Sequence, residues 1–399
     1  MKLRISPFIL LCVVGGLAIF SSTMAKTPVL PLFIRSLDVP MGTVGFIAAA
    51  STVVGIFVSL PAGILSDIVG RRRVILVAAI VFASAPFLYL LVIEPWHLVL
   101  VRIYHGFATA ILGPVAMAAV ADTFDSGRGE KMGWYSSATM VGRFLAPLVG
   151  GALIFGNNFH WVYLVTGIIG TLSLIAALKL PRPATTPVSA GELVKKERGE
   201  IKRDVTAMLT HRGILATSVV EAVEYFAFGC LEVFLPVYLN EQMGFKPLSI
   251  GLLFTVQIAV ATLAKPWMGR LSDRYGRVAT ITIGLLLGAV SITMIAWSNN
   301  YMVVAILIGL FGLGLAAVTA SSAALVADLA KDSSYGGALG ILSSVMDIGH
   351  STGPMAGGLL IAAYNYRTTF GVIGGILALT SLAFGLIMRH TLRNRSSPS

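Results

Sequence analysis

Gly63-Ile64-Leu65-Ser66-Asp67-Ile68-Val69-Gly70-Arg71-Arg72-Arg73, GILSDIVGRRR, closes one apolar run and opens the next. Nearly the same phrase returns 206 positions later as Gly269-Arg270-Leu271-Ser272-Asp273-Arg274-Tyr275-Gly276-Arg277. Other landmarks keep the offset. Val120-Ala121-Asp122 returns at 206 as Val326-Ala327-Asp328, while Pro147, Gly150 and Gly151 return at 207 as Pro354, Gly357 and Gly358. Landmarks in fixed order at almost one offset make the chain a tandem of two similar halves.

Composition sets the solvent around those halves. The 399 residues are 56% hydrophobic and 12% charged, with a mean hydropathy of +0.86, whereas soluble domains carry about 25% charged residues. Apolar runs of bilayer length lie near 7–34, 42–65, 74–93, 97–121, 132–156 and 160–180, then near 213–239, 247–268, 278–297, 301–327, 336–363 and 367–388. Lys2 and Arg4 before the first run resemble a signal peptide, but Leu30 to Phe33 (LPLF) pairs with Leu235 to Tyr238 (LPVY), so this run belongs to the fold. Backbone groups inside hydrocarbon must be satisfied internally, and runs of this length rather than short alternating strands predict an all-α integral membrane protein.

The net charge of +11 is dispersed in short clusters between runs, which argues for membrane topology rather than a nucleic-acid partner. Arg71 to Arg73, Arg128, Lys131, the 179–212 segment, Arg274, Arg277, Lys331 and both tails are basic, while the alternate connections hold only Arg35, Lys246 and Arg367. The positive-inside rule then places both termini and a polar 181–211 linker in the cytoplasm. Cys12 and Cys230 lie inside apolar runs with neither metal spacing nor a disulfide framework, and read as packing residues.

Between the second and third runs of each half, the repeated phrase resembles the loop signature of the major facilitator superfamily, G-x-L-a-D-r-x-G-r-k. Arg102-Ile103-Tyr104-His105-Gly106 is similar to that superfamily's R-x-x-q-G element, and Gly142, Pro147, Gly150 and Gly151 to the G-x-x-x-G-P-x-x-G-G pattern of its antiporters, with Ala146 before the proline and Arg143 inside the motif. The resemblance covers the whole chain. It implies twelve transmembrane helices in two pseudo-symmetric six-helix bundles, 1–180 and 212–399, joined by the linker and acting as a monomer; the short external loops suit a prokaryotic cell (inner, cytoplasmic) membrane. It further implies that Asp67 and Arg71, with Gly63 and Gly70, form a cytoplasmic gating latch, copied as Gly269, Asp273, Gly276 and Arg277.

Charges that topology does not need carry the functional reading, because an ionisable side chain at mid-bilayer costs about 2.5–3.5 kcal/mol and faces a cavity or a partner. They segregate: Lys26, Arg102, His105 and Arg143 in the first half, Glu221, Glu224, Glu232, Asp347 and His350 in the second. On a helical wheel Glu221, Glu224 and Glu232 share about an 80° sector with Phe228. Glu224, then Glu221 and Asp347, are the expected proton-coupling groups. Lys26, Arg102, Arg143, Glu232 and His350 are the expected substrate contacts. Glu232 fits an outer gate equally well, and Asp347 with His350 fits an interhelical pair. His105 reads as a packing or hydrogen-bonding histidine near Arg102 rather than a proton shuttle, and Tyr225, Phe226, Phe228 and Trp267 fit either an aromatic cavity wall or lipid-facing and packing positions, the commoner fate.

The pattern points to a proton-coupled secondary transporter that exports small organic compounds by alternating access. Its partners are substrate, protons and the lipid bilayer. The alternative is uptake of a small organic anion held by the basic first half. No phosphate-binding loop argues for ATP, no nucleophile and base for an enzyme, and no metal spacing or other cofactor motif is visible. Two intact copies of the loop argue against a non-transporting sensor.

Overall fold

The computed structural model describes residues 6–124, 127–156, 158–181, 199, 211–329 and 335–395. Most of the 181–211 linker and the extreme termini lie outside the described residues. Thirteen helices account for nearly all the rest: α1 (Pro7–Lys26), α2 (Val29–Ser36), α3 (Met41–Val69), α4 (Arg71–Tyr89), α5 (Pro95–Thr123), α6 (Arg128–Ala152), α7 (His160–Leu178), α8 (Arg212–Glu241), α9 (Pro247–Tyr275), α10 (Arg277–Ile295), α11 (Tyr301–Leu329), α12 (Tyr335–Ala363) and α13 (Tyr366–Arg395). Among the described residues the β structure is one isolated bridge, Phe155 with Asn158.

Local chemistry sets the boundaries. Prolines open α1, α5 and α9, where a missing N–H costs nothing. The first apolar run is two helices instead of one: Pro28 has no N–H to continue the ladder, so α1 stops at Lys26 and α2 resumes at Val29. The two form one 30-residue span. Between α3 and α4 the turn is made by Gly70 at φ 95°, and between α9 and α10 by Gly276 at φ 98°, a region closed to residues with a Cβ.

With α1 and α2 counted together the thirteen helices give twelve spans. Among the described residues ten are apolar enough to be recognised as spans by composition alone. The other two are α6 and α12, which are related by the repeat. The first carries Arg128, Glu130, Lys131 and Arg143; the second is rich in glycine and holds Asp347 and His350.

The chain forms two compact units. One comprises α1, α2, α3 from Phe46 onward and α4 to α7, together with Leu239–Thr255; the other comprises Met41–Gly45, α8 as far as Tyr238, α9 from Val256 onward and α10 to α13. In the first, α4 lies against α5 and α7, and α1 against α6 and α7. Its core holds Leu11, Val14, Ala18, Ile75, Phe82, Leu112 and Val115. In the second, α10 lies against α11 and α13, which repeats the α4 arrangement with α5 and α7 in three dimensions.

Candidate functional site

The loop phrase folds into the same ionic triad twice. Arg71 pairs with Asp67 one turn before it on the chain, its Nε donates to Asp122 Oδ2 at 3.0 Å, and an amino group donates to Ser66 Oγ at 2.5 Å. Arg277 likewise pairs with Asp273, reaches Asp328 Oδ2 at 3.2 Å and donates to Ser272 Oγ at 3.3 Å. One planar guanidinium thus ties the end of one helix to the start of the next and to the end of a third, a task its rigid fork performs and a lysine does not. Each triad lies within its own six-helix half. In the sequence Asp122 and Asp328 are landmarks of the repeat; the 206 offset that VAD shares with LSD is the signal that the two motifs work together.

Arg102 and His105 are enclosed in the first unit. Arg102 donates to the Ala48 carbonyl at 2.6 Å, while its Nε has no hydrogen-bond partner. His105 Nδ1 lies 3.5 Å from the Tyr89 hydroxyl and its ring meets Phe82 edge-on. Tyr89 in turn stacks on Tyr163 with centroids 4.5 Å apart and planes 2° from parallel. The packing role expected of His105 fits these contacts, and the two tyrosines complete a buried ring cluster that no sequence spacing announces. Lys26 is half-buried in the last turn of α1, at the break before α2. Arg143 is exposed on α6.

Of the three glutamates of α8, Glu221 and Glu224 remain electrostatic neighbours, while Glu232 is paired elsewhere. Glu224 is fully buried and neither of its oxygens has a hydrogen-bond partner. Its carboxyl lies with Leu377 of α13 beside Gly288 of α10, where an added Cβ would stand 3.6 Å from Oε2 and 3.5 Å from the leucine. Glu221, also buried, has Ser322 of α11 and Lys265 of α9 as neighbours, and one of its oxygens is unpartnered. Glu232 stands eight residues beyond Glu224, about 12 Å along the helix, and faces α12: its Oε2 lies 3.0 Å from His350 Nε2, within hydrogen-bond distance. The imidazole stacks on Phe228, 5.4 Å between centroids and 13° between planes, with Tyr225 edge-on to both rings. Neighbours on five different helices, not position on the wheel, distinguish the three carboxyl groups. His350 pairs across to Glu232; Asp347, three residues earlier, contributes its carbonyl to Ser351.

What brings Glu232 to His350 is the absence of side chains between α8 and α12. A Cβ at Gly349 would overlap the Ala222 carbonyl, and one at Gly353 the Phe226 carbonyl. In the first half Gly142 meets the Gly16 carbonyl and Gly150 the Met24 carbonyl, so the antiporter-like pattern on α6 is a close-packing surface for α1, and its copy on α12 is one for α8.

The sequence profile described as Major Facilitator Superfamily matches residues 11–246 and 217–399. The chain belongs to the major facilitator superfamily. Within it, the chain is 24% identical over 380 residues to the multidrug resistance protein MdtG of Citrobacter koseri, covering 93% of this chain and 91% of the relative. Among solved structures it resembles the nucleoside transporter NupG (D323A mutant), with TM-score 0.83, 14% identity and coverage of 96% and 100%. It also resembles a bacterial homologue of the human lysosomal transporter Spinster, with TM-score 0.82, 18% identity and full coverage of both chains. Superfamily membership makes the protein a multi-pass membrane transporter of small molecules, not an enzyme. Its twelve spans in two pseudo-symmetric bundles are the superfamily's fold.

Proposed function

We propose that the protein is a proton-coupled exporter of small organic compounds, resident in the cytoplasmic membrane with both termini inside. The observation that carries this reading is Glu224: a carboxyl in the middle of a span, fully buried, with neither oxygen hydrogen-bonded. An ionised carboxylate so placed costs several kcal/mol, a neutral acid far less. A group of this kind holds a proton in one conformation and releases it when a rearrangement admits water or a counter-charge, which is what coupling requires. Glu221, one turn away, and Asp347 are the supporting proton sites.

Substrate is assigned to Glu232, His350, Lys26 and Arg143, with Arg102 acting from behind the wall as a fixed positive charge. The Glu232–His350 pair beside Phe228 offers a carboxylate and flat aromatic faces, a combination suited to organic cations. Similarity to proteins named for multidrug resistance supports the export direction. The ionic triads are the proposed gating elements, each holding the loop end of its own half in one conformation.

The test is substrate-triggered proton movement in energised everted vesicles, with lipophilic cations and small organic anions presented to wild type and Glu224→Gln. Proton release driven by cations, abolished in the variant, is expected. A response to anions alone that changes in Lys26→Ala would instead establish anion uptake through the basic half.

A further inference from the structure

At one end of the second unit, α8 and α13 do not close on each other. They leave a groove of about 390 Å³ lined by Arg212, Ala216 and Val220 on α8 and by Thr380, Phe384 and Ile387 on α13. Apart from the guanidinium and one hydroxyl its lining side chains are apolar. Its outer walls, Leu215, Val219 and Ile387, are exposed on helices that both span the membrane, so the groove opens to lipid. Its mouth is basic: Arg212 opens one span and Arg389 closes the other, and both are exposed.

The groove's course follows from register. Arg212, Ala216, Val220 and Glu224 recur every four residues and so form one ridge of α8, inclined about 26° to the helix axis, that leads from the groove to Glu224. Leu377, Thr380, Phe384 and Ile387 form the matching face of α13. The groove is therefore the open end of the seam in which Glu224 and Leu377 both border Gly288. From Arg212 to Glu224 is about 18 Å along the helix, close to the depth of one leaflet of a hydrocarbon core about 30 Å thick.

We propose that this groove is a binding site for one anionic phospholipid, its phosphate on Arg212 and one acyl chain laid along Ala216, Val220 and Phe384 towards Glu224. Charge complementarity selects the headgroup, since a bidentate guanidinium at a membrane boundary suits a phosphate. The chain's own 181–211 linker is an unsuitable occupant: it is dense in lysine, arginine and glutamate, whereas the groove is apolar and faces hydrocarbon. A bound acyl chain also closes the lipid side of the seam and keeps water from reaching Glu224 by that route.

Native mass spectrometry of the purified full chain, offered dioleoylphosphatidylglycerol and dioleoylphosphatidylcholine in competition, tests the proposal. Wild type is expected to retain one phosphatidylglycerol with about fivefold preference, the effect of one well-placed basic residue. Arg212→Ala should bring the preference near unity and Arg212→Lys should keep most of it. Ala383→Phe, which fills the groove, should reduce retention of both lipids; Val219→Trp on the exposed wall serves if that variant does not fold. Equal retention of the two lipids by wild type, or undiminished phosphatidylglycerol in both Arg212→Ala and the groove-filling variant, overturns the assignment.

Discussion

Gly70 and Gly276 show what a single residue contributes. At φ 95° and 98° both occupy backbone conformations that a Cβ resists, yet nothing lies within 4 Å of where that Cβ would stand. Replacement by alanine therefore tests backbone strain without steric collision. Gly70→Ala and Gly276→Ala should each destabilise the protein by about 1–3 kcal/mol, read from the unfolding midpoint of the purified chain, and by similar amounts because the two turns are copies. Arg71 makes a different kind of contribution, since its guanidinium addresses Asp67, Asp122 and Ser66 at once. Arg71→Lys keeps the charge and loses the fork, so transport should fall further than in Asp122→Asn, which removes one partly exposed pair worth about 0–1 kcal/mol. Equal losses in a transport assay at matched expression would mean that charge alone matters. At this scale the sequence was informative wherever it repeated: Asp67, Gly70 and Arg71 were readable because each has a twin. Glu224 and Glu232 have none, and a helical wheel cannot say which neighbouring helix each carboxyl meets.

Between elements, spacing follows from the smallest side chains. Gly353 presses its backbone on the Phe226 carbonyl, and at the equivalent place on α6 stands Ala146, fully buried. The two halves thus use the same surface with different small residues at this place, and exchange of the two should be asymmetric. Gly353→Ala forces α8 and α12 apart and should cost about 1–3 kcal/mol by overpacking, with loss of transport because Glu232 and His350 meet across that interface. Ala146→Gly should leave transport within about twofold of wild type, its cost confined to helix propensity of about 1 kcal/mol. Thermal melts and uptake or efflux rates of the two variants check both halves of the statement. The helices themselves were legible from apolar run length, and ten spans need nothing more. α6 and α12 were legible only through the repeat, since their polar and small residues lower the hydropathy that marks a span. The division of the first run at Pro28 and the crossing from Arg71 to Asp122 depend on backbone geometry and on which helices become neighbours, which one-dimensional spacing does not encode.

For the whole molecule, the compact units do not follow chain order. Leu239–Thr255, from the second half of the sequence, clusters with the first unit, and there Pro247 and Gly251 lie against Gly151 and Pro147. The polar clasp of this junction is Arg35 Nε on Glu241 Oε1 at 2.7 Å, both side chains about one third exposed (28% and 30%). Arg35 also donates to the Val39 carbonyl at 2.5 Å, which fixes the guanidinium before it meets the carboxylate. In the alternating-access cycle proposed above this pair would have to open, and a pair about one third exposed, worth about 0.2–1 kcal/mol, is weak enough to do so. Arg35→Glu or Glu241→Arg alone places like charges together and should lower the transport rate several-fold without changing expression. The double exchange, Arg35→Glu with Glu241→Arg, should recover a substantial part of it, short of all because glutamate cannot donate to the Val39 carbonyl. Transport measured across a salt series checks the electrostatic origin: the single variants should improve as ionic strength rises and screens the repulsion, and the double variant should change little. Single variants that stay equally impaired at every salt concentration would assign the defect to lost packing at the pocket beside the pair, where Phe155, Phe159 and Lys246 lie next to Arg35 and Glu241.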